Sequence, residues 1–574
     1  DFKYVKGLKA KAFINYKDNE QYVKQFNRPV EFYTYNPSTE VYTYAGNYKE
    51  TAELREYMYK DNVLTQQYSL TYDQNFNDIH RVSGLALFES INYSNNNFMA
   101  YRGNFLTPSI EQMYAGSTIG MGNNGSASEM GRASFVLRLN YGYKDKYLIE
   151  TIMRADASAK FPKSSRWGYF PSVSLGWVIS QESFLKDNRN VDNLKLRLSY
   201  GQSGNDAVGN FQYLSGYSMR GTILLGDKQV SGLYSTGLAN PFLTWEKLSI
   251  ANGGVDFSFL DRKIYGTVEG FYRYRDGIPA TRVNSLPSTF GSALPPENLN
   301  SLADRGFDLD LGTSGKYNDF SYEVKGNISW SRSKWIHFEE PEYEDPDQRR
   351  INQVSGFWTD RVFGYISDKL FTSQEEIDNL PYKYVDLGGN ESLRPGDVKY
   401  VDLNNDGLLD WKDKTDIGMG TMPHWMYGIS TNLKYKNFDL SLLFQGAFGY
   451  YTNVAIGNET EFKYNERWTE ASNDPDALIP RLGGAASNGW TSDYWYKKTS
   501  YLRLKNASIG YNVPLSVLEK VGLKQARVYM AGTNLFTLST IGEYGIDPEA
   551  PNIGNKLHNY PQQRTISLGV NLSF

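Results

Sequence analysis

Apolar and polar residues alternate with a period of two in segments of about ten residues, again and again along the chain. One hairpin shows the pattern best. Phe307, Leu309 and Leu311 alternate with Asp308, Asp310 and Gly312. After a turn expected around 315–319, Phe320, Tyr322, Val324, Ile328 and Trp330 alternate with Ser321, Glu323, Lys325, Asn327 and Ser329. Successive side chains of a strand point to opposite faces, so one face of this hairpin is apolar and the other polar or charged. A soluble sandwich would turn those faces to a core and to water, and the hairpin alone fits either architecture. The number of repeats points to a membrane.

Comparable segments occupy 8–16, 66–75, 81–93, 132–143, 146–156, 169–180, 192–202, 245–259, 262–275, 424–435, 437–447, 499–512, 524–536 and 563–574, which with the hairpin makes about sixteen strands. Ten residues is the length a tilted strand needs to cross a bilayer. Tight turns such as Lys144-Asp145-Lys146 and Lys436-Asn437 alternate with long segments at 204–244, 276–303, 333–423 and 448–498. That rhythm of short turns on one side and long loops on the other is the habit of transmembrane β-barrels. In the last segment Ile566, Leu568, Val570, Leu572 and Phe574 alternate with polar residues, and the sequence stops on the aromatic. The expected fold class is an all-β, antiparallel transmembrane barrel with long external loops.

Composition agrees. Aromatic residues make up 15% of the 574, yet mean hydropathy is -0.54. A barrel wall produces both, because each strand shows lipid only at every second residue. No stretch approaches the ~18 to 20 uninterrupted apolar residues of a spanning helix. There is no cysteine, hence no disulfide framework or thiolate metal site. A formal charge of -4, from 60 basic and 64 acidic residues, gives no electrostatic reason to expect nucleic acid. Residues 1–16 contain no signal peptide and already read as a strand, so the start of an exported protein is expected upstream.

Several phrases, in order along the chain, carry a resemblance: Leu139-Asn140-Tyr141-Gly142-Tyr143-Lys144-Asp145-Lys146-Tyr147-Leu148 with Arg154-Ala155-Asp156-Ala157-Ser158-Ala159-Lys160-Phe161, then Arg166-Trp167-Gly168-Tyr169-Phe170-Pro171-Ser172. Further along stand Leu194-Lys195-Leu196-Arg197-Leu198-Ser199-Tyr200-Gly201, Asn240-Pro241-Phe242-Leu243-Thr244-Trp245-Glu246-Lys247, Pro395-Gly396-Asp397-Val398-Lys399-Tyr400 and Tyr435-Lys436-Asn437-Phe438-Asp439-Leu440. Together they resemble the C-terminal barrel portion of the SusC/RagA family of TonB-dependent outer-membrane transporters. The resemblance implies a 22-stranded, plugged barrel, a SusD-like surface lipoprotein as lid, and energy from the TonB complex. It implies uptake of an oligosaccharide or oligopeptide, with no enzymatic step. About sixteen strands fall short of that number, so 1–574 is expected to be a partial barrel whose plug domain and N-terminal strands lie outside it. The two open edges left by missing strands are not tolerated in a membrane, so either the missing strands accompany this chain as another piece or the fragment does not function alone.

The sharpest local motif is 402–413, Asp-Leu-Asn-Asn-Asp-Gly-Leu-Leu-Asp-Trp-Lys-Asp. Asp402, Asn404, Asp406, Asp410 and Asp413 as oxygen ligands, with the Leu408 carbonyl and Gly407 at the sharp turn, reproduce the spacing of an EF-hand loop, with Asp in place of Glu at the last position. Two readings stay open at even weight: a Ca2+ loop stiffening 333–423, or an Asx-rich turn whose carboxylates cap backbone N–H groups. The four histidines, His80, His337, His424 and His558, are dispersed and none lies at metal-ligand spacing from another. Trp358, Trp411, Trp468, Trp490, Trp495 and Tyr496 are candidates to stack on a sugar or peptide, against the more ordinary role of aromatic girdle. Polar inward residues, Asp308, Asp310, Glu323 and Lys325 among them, would hydrate a lumen. An adhesin or purely structural barrel is the alternative function, with a barrel hydrolase third.

Overall fold

The computed structural model describes residues 5–283, 287, 289, 291–455, 461–519, 522–549 and 562–574. Its frame is one sixteen-stranded sheet. In chain order the strands are β1 Leu8–Asn27, β2 Glu53–Phe76, β3 His80–Arg102, β4 Gly122–Tyr143, β5 Tyr147–Ser158, β6 Trp167–Val178, β7 Val191–Asn205 and β8 Glu246–Phe259. They continue as β9 Ile264–Ala280, β10 Glu297–Tyr317, β11 Phe320–His337, β12 Trp425–Tyr435, β13 Phe438–Asn453, β14 Tyr496–Asn512, β15 Gln525–Ser539 and β16 Thr565–Ser573. Each pairs antiparallel with the next. All sixteen expected strands are present, one for one, and several run further than their alternation does.

Register keeps the two faces apart. Across β10 and β11, Phe307 faces Trp330, Leu309 faces Ile328 and Tyr317 faces Phe320, while Asp308 faces Ser329 and Asp310 faces Asn327. β12 continues the row, with Trp330 against Trp425, Ile328 against Tyr427 and Phe320 against Tyr435. A slip of one residue would turn every apolar side chain inward. The turn between β10 and β11 is only Asn318-Asp319, tighter than the sequence suggested, and Gly315 lies within β10 opposite Tyr322. Lys144 and Asp145 both hold positive φ, 50° and 53°, under a Lys146 N–H to Tyr143 carbonyl bond, which is the turn whose twist suits a hairpin.

The apolar face is exposed. Leu137 and Leu139 are each 49% accessible, and Leu175, Leu198, Ile429, Ile509, Val528 and Leu568 are likewise open. Among the largest fully buried side chains of the described residues only Leu54 lies in a wall strand, near its end; the others belong to connections. A sandwich would show the reverse, so the sheet's apolar face is lipid-facing. Two rows of rings bound it. Phe307, Trp330, Trp425 and Phe448 form one, and Tyr317, Phe320, Tyr435, Phe438 and Tyr511 lie toward the other end. Phe320 and Trp330 are ten residues apart on β11; at ~3.4 Å per residue and a tilt of ~40° the rows stand about 26 Å apart, the height of an outer-membrane apolar band.

Connections alternate between the rims. Short ones join β2 to β3, β4 to β5, β8 to β9, β10 to β11 and β12 to β13, while 28–52, 103–121, 206–245 and 338–424 share the other rim, at which β13 and β15 end and β14 and β16 begin. Among the described residues β1 and β16 do not pair with one another, so the sheet has two edges. Among the described residues no helix is long and apolar enough to cross a membrane.

Candidate functional site: the polar wall and the loop lobe

The inner face is a ladder of charge-assisted contacts. Arg197 bonds both oxygens of Asp256, at 2.8 and 2.9 Å, and reaches Glu269 at 3.1 Å. Lys325 pairs with Glu323 at 2.7 Å, and the Tyr265 hydroxyl donates to Glu323 at 3.0 Å. Arg527 clamps Asp439. Asp308 and Asp310 stand on this face beside Glu269 and Thr267 of β9, as alternation placed them. Such a surface stays wetted without presenting apolar area to water. None of the described histidines hydrogen-bonds a serine or threonine side chain: His80 bonds the Tyr141 hydroxyl and His424 bonds Asp360. His558 lies outside the described residues.

On the long-connection rim, loops pack into lobes with their own cores. The largest joins 338–424 to 454–495 through Tyr365, Leu370, Phe371, Ile377, Tyr384, Leu393, Val398, Tyr400, Leu409 and Trp468. Its anchor is Asp397, fully buried. Asp397 Oδ1 accepts from Arg481 Nε at 2.8 Å, from Asn488 Nδ2 at 2.8 Å and from the Ala485 N–H at 3.1 Å; Oδ2 accepts from Arg481 Nη2 at 3.1 Å and from the Arg394 N–H at 2.9 Å. Gly396 has φ +88°, and a Cβ there would lie 2.3 Å from the Trp468 ring. Burial pushes the Tyr382 hydroxyl up to about 12 and drives those of Tyr365, Tyr384 and Tyr400 well above their ordinary value.

The candidate aromatics therefore divide. Trp468 and Trp495 are buried, and Trp490 stacks on Tyr365, Tyr384 and Tyr400. Trp468 and Trp490 help build this lobe and Trp495 the neighbouring core of Val454, Ile479, Ile541 and Tyr544, so all three rings are engaged in packing. Trp411 opens a short turn of 3-10 helix, and Tyr496 begins β14. Trp358 meets two guanidinium groups, those of Arg305 and Arg332, 4.7 and 4.5 Å from its ring centre. Periodicity missed Asp397 and Arg481, because their contact spans 84 residues.

In the loop 402–413, Asp402 accepts from the N–H groups of Asn405 at 2.8 Å and Gly407 at 2.9 Å. Asp413 accepts from Leu403 at 2.9 Å and Asp410 at 2.8 Å, Asp406 from Leu408, Asn404 from Asp406, and Asp410 from Lys412. Asp410 and Asp413 form a reciprocal capping box. Burial raises the Asp413 carboxyl above its ordinary value, the charge of Asp402 adds to this, and the backbone donors oppose it. Among the described residues no group of three or more His, Cys, Asp or Glu side chains is disposed to hold a metal ion.

No family model matches the chain. It is 29% identical to "TonB-dependent receptor P3" of Formosa agariphila over 602 aligned positions, covering 97% of this chain and 58% of that protein. It is 29% identical to "TonB-dependent receptor SusC" of Bacteroides thetaiotaomicron over 462 positions, covering 77% and 43%. The solved RagAB peptide transporter superposes with a TM-score of 0.74 at 21% identity, covering 99% of this chain and 60% of that one, and shares the fold. The chain spans about half the length of the curated relatives it matches. In sequence the chain is similar to TonB-dependent receptors, SusC among them, and in fold to the barrel of the RagAB transporter; it is a β-barrel wall of the outer membrane of a Gram-negative bacterium.

Proposed function

We propose that this wall serves active import of a bulky nutrient, an oligosaccharide or oligopeptide, in company with a SusD-like lipoprotein and the TonB complex, and that no covalent chemistry takes place in it. The observation that carries the proposal is the opposition of faces: apolar side chains exposed outward over about 26 Å, and the Arg197–Asp256–Glu269 and Glu323–Lys325 ladder turned inward. A wall this polar inside suits a hydrated cargo. The long-connection rim is the external one in this proposal. Further strands of the same polypeptide close the sheet between β16 and β1, because unpaired backbone in lipid costs several kcal/mol per group.

The test is uptake by cells carrying the full-length gene, its deletion, and the gene in a strain lacking TonB. Loss of growth on oligosaccharides or on oligopeptides in both mutant strains is expected, and the cargo that fails names the substrate class. Unaltered growth on both would refute import and favour a structural or adhesive barrel.

A further inference from the structure

Above the upper row of rings the outward face changes character. Arg305 follows the phase of Phe307 on β10, and Arg332 and Lys334 follow that of Trp330 on β11. Residues 356–359 extend the sheet there: Thr359 N–H bonds Ser333 carbonyl at 3.0 Å, Trp335 N–H bonds Phe357 carbonyl at 2.9 Å, and Trp358 bridges Lys334. Trp358 thus lies on the same face, with the guanidinium groups of both Arg305 and Arg332 against its ring. Asp360 pairs with Arg332 at 3.0 Å and with His424 at 2.6 Å. Among the described residues no carboxylate pairs with Arg305 or Lys334.

Height identifies the ligand. Arg305 and Arg332 lie two residues beyond the rings and Lys334 four, about 5 and 10 Å higher after a tilt of ~40°. The headgroup layer of one leaflet is about 5 to 7 Å thick, so Arg305 stands within it and the backbone of Lys334 just above it, from where the long lysine side chain reaches back to the layer. An unpaired guanidinium at that level, with the apolar band directly beneath it, meets acyl chains below and headgroup phosphates beside it. We propose that Arg305, Lys334 and the Trp358 platform form a binding site for the phosphorylated headgroup of an outer-leaflet glycolipid. Arg332, neutralised by Asp360, packs on the tryptophan and holds it beside Arg305 and Lys334. The site goes beyond nutrient import and shares with that proposal only the assignment of the long-connection rim to the outside.

The experiment is native mass spectrometry of the full-length receptor in detergent, titrated with lipid A, with its dephosphorylated form, or with inorganic phosphate. Arg305→Ala with Lys334→Ala is expected to weaken lipid A binding about thirtyfold, about fivefold for each charge removed, and the charge-keeping pair Arg305→Lys with Lys334→Arg to restore it. Dephosphorylated lipid should bind the wild type as weakly as lipid A binds the alanine pair. Equal lipid A binding by all three proteins overturns the proposal. So does saturation by inorganic phosphate at the same concentration, which marks a free-anion site, and so does a change in self-association without loss of lipid, which marks an interface between copies. Uptake plays no part in the readout, so failure here leaves the import proposal standing.

Discussion

Asp397→Asn keeps the shape of the lobe's anchor and deletes its charge. The carboxylate is fully buried and accepts five hydrogen bonds, two of them from Arg481. Removing one partner of a buried pair costs about 3 to 5 kcal/mol, because the survivor is left charged and unpaired. Arg481 keeps 24% of its side-chain exposure, so water relieves part of that charge. The loss therefore falls at the lower end, about 3 kcal/mol, which is about a hundred- to two-hundredfold in the opening equilibrium. Hydrogen exchange on the full-length receptor reads this directly, since lobes and wall open as separate units. Amides of 367–400 and 479–490 should exchange faster by that factor, while those of β3 and β4 stay unchanged. An acceleration below about tenfold in the lobe, or an equal one in the wall, would refute the anchoring role.

Gly306→Ala places a Cβ 2.4 Å from the Trp330 carbonyl oxygen and 2.6 Å from the Phe271 ring. Since the strand cannot yield, a loss of about 1 to 3 kcal/mol is expected in urea unfolding from vesicles, and an unchanged midpoint would sink the argument. Leu311→Arg, midway between the two rings of aromatics and 46% exposed, should cost about 2 to 4 kcal/mol in the same assay, whereas Asp310→Ala on the inner face should cost less than about 1; equal effects would contradict the assignment of faces. Tyr382 and Tyr544 are both held at about 12 by burial, above the ~10 of an unfolded tyrosine. Their contribution to lobe stability is complete below pH ~10 and is lost as pH rises toward 12, so lobe exchange should accelerate in that window and not before. If 402–413 holds Ca2+, millimolar Ca2+ should raise the melting temperature, a chelator should reverse the rise, and Asp402→Ala with Asp406→Ala should abolish it; no change in any of these leaves the carboxylates as backbone caps.

What the sequence reveals is set by which surfaces a strand touches. All sixteen wall strands are legible because one face of each meets lipid, and that constraint writes a period of two. The same strands run past their legible part, as β3 does through Ser94-Asn95-Asn96-Asn97, because beyond the band both faces are wet and nothing enforces alternation. Those polar residues still pair, at Asn62, Asp61, Lys60 and Tyr59, because the neighbouring strand extends as far. Trp468 and Trp495 are invisible as core for a different reason: their partners come from distant connections, and no local period records them. The Pro395-Gly396-Asp397 phrase carries resemblance, while its physical meaning rests on Trp468 and Arg481, 72 and 84 residues downstream. Arg305 and Lys334 stand between these cases. They keep the lipid-facing phase of Phe307 and Trp330 but lie above the rings, so a hydropathy pattern registers only its own end there. Only the register across β10, β11 and 356–359 shows that the cations still face outward. Where alternation stops, then, the outward face continues, and what it meets changes from hydrocarbon to headgroup.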